Sequence, residues 1–99
     1  MSATEVLAGL EPVGVWTRFA ELTTIPRPPK EEEQARAYVL AWAERLGFES
    51  AVDAEGNVVV RLPASSGRGD APTVVLQSHL DMVCERDPES DYDPRAGRI

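Results

Sequence analysis

His79 and Asp81, two residues apart, are the side chains of this sequence whose types and spacing could do chemistry, and the run Thr73-Val74-Val75-Leu76-Gln77-Ser78-His79-Leu80-Asp81-Met82-Val83 delivers them. In extended backbone, residues i and i+2 point to the same side, so imidazole and carboxylate meet if extension persists past the end of the apolar run. A neutral imidazole binds a metal through one nitrogen, while a carboxylate accepting from the other N–H fixes its tautomer and raises its basicity. The place fits too, because ligand sites of open α/β sheets gather at the carboxyl ends of strands. A plainer reading competes: a hydrogen-bonded histidine at a strand end, with the aspartate capping the next turn. A lone His-x-Asp is a weak motif, and spacing alone leaves both readings open.

The elements that must position this pair can be read outward from it. Residues 73–78 lack polar alternation, which predicts a strand buried on both faces inside a sheet. Residues 48–53 and 58–62 are short strand-like runs around Ala54-Glu55-Gly56-Asn57, predicting an antiparallel β-hairpin. The segment 63–72 between hairpin and strand is all loop chemistry. Upstream, Ala35, Tyr38, Val39, Trp42 and Leu46 form an apolar stripe from a start near Lys30 to a stop at Gly47, with Glu31, Glu32 and Glu33 placed in a first turn where negative charge suits the helix dipole. Val15, Trp16, Phe19 and Leu22 predict another helix over 12–23, with Pro12 suited to its first position. Ile25-Pro26-Arg27-Pro28-Pro29 must separate the two helices, because proline removes donors and pushes the preceding residue toward extended geometry. Residues 1–10 carry only a weak helical signal, broken by Gly9, and read as a turn or short helix. The fold class is α/β: two helices, a β-hairpin and a further buried strand.

Composition narrows the function. Ninety-nine residues make at most one small domain with a modest core. A net charge of -7 argues against nucleic-acid or anionic-membrane binding, which need clustered Lys and Arg. The expected partners are small or cationic. Cys84 is the one cysteine, so no intramolecular disulfide can form, and a reducing cytoplasm fits. No uncharged apolar run is long enough for a signal core or a membrane span.

Three landmarks in order resemble a known family. Ile25-Pro26-Arg27-Pro28 before a Glu-rich helix start, Asp53-Ala54-Glu55-Gly56-Asn57-Val58 at the hairpin, and Val75-Leu76-Gln77-Ser78-His79-Leu80-Asp81-Met82-Val83 look like the opening segment of the zinc dipeptidases called cytosol nonspecific or aminoacyl-histidine dipeptidase (PepD). These belong to the clan of co-catalytic zinc peptidases that includes glutamate carboxypeptidase and aminoacylase. The resemblance implies that residues 1–99 are the amino-terminal portion of a three-layer α/β/α zinc-peptidase domain, incomplete here, with strand 73–78 parallel to the first strand of the hairpin. By the same resemblance His79 is a ligand to one of two zinc ions, and Asp81 is the non-ligand carboxylate that holds the histidine and assists catalysis. The substrate would be a dipeptide, the aminoacyl-histidine type included, attacked by a metal-activated water. The bridging carboxylate, the Glu-Glu pair, a further Asp and a distant His would lie beyond Ile99. A catalytic zinc takes about three protein ligands plus water, so the 99 residues alone are expected to be inactive. The resemblance allows a homodimer of the full-length protein. The alternative, from another class, is a noncatalytic interaction module or a subunit completed by another chain.

Other features have bland accounts. Cys84, five residues after His79, reads as an inert buried side chain rather than a nucleophile. Asp87, Glu89, Asp91 and Asp93 alternate like a calcium loop, but Tyr92 stands where such a loop needs glycine, which leaves a solvated acidic loop. Trp16 and Trp42 sit on apolar faces and read as core.

Overall fold

Local signals close most of the elements in the computed structural model, which describes residues 2–95. The chain divides into two compact units, Met1–Ala35 with Leu80–Ile99 and Arg36–His79.

In the first unit, α1 (Ala3–Val6) is a single turn held by a capping box. The Glu5 N–H donates to Ser2 Oγ at 3.2 Å, and the Ser2 N–H donates back to Glu5 Oε2 at 2.8 Å. The Ser2 backbone N–H, helped by the Ser2 hydroxyl, holds the Glu5 carboxyl below its ordinary range. Ser-x-x-Glu is a start signal that outweighs the break at Gly9. α1 lies against α2 (Val13–Thr23). Pro12 is the residue before α2 rather than its first turn: at ψ 136° it is extended, and Glu11 Oε2 accepts from Val13 N at 3.2 Å in place of a cap by residue 12. The last carbonyls of α2 are taken by the Thr24 and Ile25 backbone N–H groups, which reach Glu21 O and Leu22 O, and by side chains. Thr23 Oγ1 donates to Ala20 O and Thr24 Oγ1 to Glu21 O, each at 2.7 Å.

α3 (Glu33–Arg45) starts later than its acidic run suggests. Only Glu33 is in its first turn. Glu32 accepts from the Lys30 N–H at 2.8 Å, and Glu31 pairs with Arg95 at 3.6 Å. Lys30, at φ 69°, makes the bend that delays the helix. The end of α3 is a Schellman arrangement: Gly47, at φ 75°, donates to Glu44 O at 3.0 Å and Phe48 donates to Ala43 O at 2.8 Å. Trp42 meets Phe48 edge-on at 5.8 Å across this turn.

The second unit continues into β1 (Glu49–Val52) and β2 (Val58–Arg61), antiparallel with Glu49 opposite Arg61 and Val52 opposite Val58. Asp53 organises their turn. Its Oδ1 accepts from the Glu55 and Asn57 N–H groups at 2.9 Å, and its Oδ2 from the Asn57 side-chain amide at 2.8 Å. Arg36 on α3 donates through Nε to Gly56 O at 2.9 Å, fastening the turn to the helix.

The predicted third strand is not formed. Among the described residues the sheet has two strands, and 73–78 belong to no element. Val74, Val75 and Leu76 are 80%, 81% and 93% exposed, against the expectation of burial on both faces. An interior strand needs a hydrogen-bonding neighbour on each edge and a cover on each face, and the described residues supply neither. The α/β class holds; the buried strand and its parallel pairing to β1 do not.

Burial is correspondingly thin. Ala3, Ala20, Ala35, Ala43 and Pro28 are the buried residues among those described, and no large side chain is fully buried. Trp16 and Trp42 are only half-buried.

Candidate functional site

His79 ends the second unit as an exposed residue, and Asp81, half-buried, follows after Leu80 at the start of the returning stretch of the first. The backbone around them carries no strand, so the pair stands at the end of an irregular segment rather than at the lip of a sheet. One residue later the Met82 N–H donates to Arg27 O at 2.8 Å.

Arg27 was not among the residues that sequence chemistry singled out. Its Nη1 donates to Leu22 O at 2.7 Å and to Ile25 O at 3.2 Å, closing the end of α2. Its place between Pro26 and a buried Pro28 was the available signal, since an arginine between two prolines has little backbone freedom.

Cys84 is half-buried rather than buried, and its thiol donates weakly to Met82 O at 3.6 Å. It lines a shallow hollow of about 160 Å³ with Phe19, Ile25, Arg27, Met82 and Tyr92. The acidic loop resolves into local turns. Asp87 Oδ1 accepts from Glu89 N and Asp93 Oδ1 from Arg95 N, each at 2.9 Å. Those carboxylates are spent on their own backbone, as a solvated loop requires.

The donor set can be tested against a metal. Among the described residues no group of three or more His, Cys, Asp or Glu side chains could hold an ion. One imidazole and one neighbouring carboxylate fall short of the roughly three protein ligands that a catalytic zinc takes. The described residues therefore do not by themselves make a zinc centre. No helix of the described residues is long and apolar enough to cross a membrane.

No family model matches the chain. It is 39% identical over 87 residues to the cytosol non-specific dipeptidase of Escherichia coli (strain K12), a match covering 88% of this chain and 18% of that protein. Its fold superposes on the crystal structure of aminoacylhistidine dipeptidase from Vibrio alginolyticus with a TM-score of 0.82 and 36% identity, over 90% of this chain and 18% of the other. The chain thus spans under a fifth of the length of the relatives it matches. Sequence and backbone agree, and the chain is a PepD-like segment, homologous along nearly its whole length to a part of these dipeptidases.

Proposed function

We propose that this segment serves a zinc-dependent dipeptidase, to which it contributes His79 as one metal ligand and Asp81 as the carboxylate that orients it. The observation that carries the reading is the 39% identity to a dipeptidase over 87 residues. The remaining donors and the general base come from polypeptide outside the 99 residues, and the segment by itself is inactive. The substrate is a small peptide, the aminoacyl-histidine type included, and the compartment is the cytoplasm. The work of this chain's own residues is limited: the imidazole offers one nitrogen, and the carboxylate, by accepting from the other N–H, keeps that nitrogen deprotonated and aimed.

The exposed Val74, Val75 and Leu76 support the dependence on further polypeptide. Each large aliphatic side chain gains about 1.5–3 kcal/mol on full burial, a drive to find a cover. Two measurements test the proposal. Capture of the native species with an antibody to this segment, read by intact mass, should give a protein several times heavier than 10.8 kDa. In that protein, His79→Ala should lower bound zinc and dipeptide hydrolysis together, by about a hundredfold in rate. Unchanged zinc and activity would end the assignment. A native mass of 10.8 kDa would turn the search to a second chain that completes the site.

A further inference from the structure

The residue after Asp81 is tied to a part of the chain that no site residue occupies. Met82 N–H donates to Arg27 O at 2.8 Å, so the peptide plane joining Asp81 to Met82 is held in place from the side of the first unit. Arg27 is itself held three ways. Its guanidinium donates to Leu22 O and Ile25 O at the end of α2. Pro26 before it has a fixed φ, and Pro28 after it, which is buried, restricts its own backbone to extended geometry. The Pro28 carbonyl in turn accepts from Glu31 N at 2.9 Å, which continues the braced segment toward α3. Beyond Asp81, Met82 O takes the Cys84 thiol at 3.6 Å, so both sides of the Met82 residue are engaged within the first unit.

We propose that Arg27 is a positioning residue for Asp81, acting from the end of α2 through its own carbonyl and the Met82 N–H to set the direction of the Asp81 carboxylate. The inference rests on the reading above that Asp81 works at the site. It assigns a task to the Pro-Arg-Pro segment that plain helix separation does not require: two prolines suffice to end α2, but neither can reach back to the α2 carbonyls and keep the residue-27 carbonyl aimed at Met82. A carboxylate that orients an imidazole must be held closely, because small displacements of a positioning group cost large factors in rate.

The test uses the intact protein that carries this segment, assayed for dipeptide hydrolysis beside His79→Ala and Asp81→Asn. Arg27→Ala should lower kcat about tenfold or more at nearly constant KM, and should speed hydrogen exchange at the Met82 amide while leaving exchange in the hairpin unchanged. Arg27→Lys, which still offers N–H donors to the two carbonyls, should restore most of both effects. A parental kcat in Arg27→Ala with impaired Asp81→Asn overturns the inference and leaves the dipeptidase reading standing. Undiminished hydrolysis in both His79→Ala and Asp81→Asn defeats the dipeptidase reading and this inference with it. If Arg27→Ala does not fold, Arg27→Met decides, since it keeps an unbranched stem and removes every N–H donor to the two carbonyls. Faster Met82 exchange with lowered kcat supports positioning, and faster exchange with parental kcat overturns it.

Discussion

Two stretches of the second unit, the hairpin turn at 53–57 and the apolar run at 73–78, differ in where their partners lie. The turn finds every partner within a few residues or on the helix just before it. Asp53 accepts from Glu55 and Asn57, and Arg36 reaches Gly56 O. The run carries stronger β-formers, yet its valines and leucine lie open to solvent. Backbone pairing inside a sheet must come from another strand, and burial must come from another layer. The lesson is that short-range polar chemistry closes an element in a short segment, whereas apolar content only records what a larger structure would cover.

Gly56 is the sharpest place to break this contrast. At φ 87° it adopts a conformation that side chains disfavour, and a Cβ there would run into the Arg36 guanidinium. Gly56→Val should destabilise the hairpin unit by about 2 kcal/mol or more, read by denaturant unfolding, and an unchanged midpoint would mean that the turn is not held as described. Asp53→Ala should have a smaller effect in the same direction, since the strands keep their ladder while the turn loses its acceptor. It should appear as faster amide exchange at Glu55 and Asn57 and a lower thermal midpoint.

The same carboxylate gives a pH dependence. The Asn57 side-chain amide, and next its backbone N–H, hold the Asp53 carboxyl below its ordinary range. The folded value is depressed, so its contribution is fully present above about pH 4, where the unfolded aspartate is ionised, and is lost as pH falls through the lower folded value. Hairpin stability should fall below about pH 4 in the parent more steeply than in Asp53→Ala, measured by thermal melts. The smallest effect belongs to the open run. Leu76→Ser should change the stability of the 99-residue chain by less than about 0.5 kcal/mol, because Leu76 is 93% exposed. A loss above about 2 kcal/mol would mean that the run is covered after all and the contrast false.

The helices and hairpin were legible because their signals are local. The stripe over Ala35, Tyr38, Val39 and Trp42 marks the inward side of α3, and Gly47 marks its end. Boundaries moved where one backbone choice outweighed a pattern: the bend at Lys30 leaves Glu31 and Glu32 outside α3, and extended Pro12 sits before α2. The Ser2–Glu5 box was legible too, as Ser-x-x-Glu, but its one turn is too short to show a periodicity. For the candidate site, His79 and Asp81 were legible as residue types at a useful spacing. The surroundings that would give them a task were not, because Met82 meets the Arg27 carbonyl only after the chain returns from the hairpin.

The sequence by itself determined the α/β class, the hairpin with its Asp53 turn, the closing of α3 at Gly47 and the kinship of the chain, since propensity, turn chemistry and residue identity are all written over short spans. Tertiary structure alone decided that Arg36 fastens Gly56, that Met82 hangs on Arg27, and that residues 73–78 stay open. Each of these depends on which distant groups arrive within hydrogen-bond or packing distance, and a linear pattern does not carry that information.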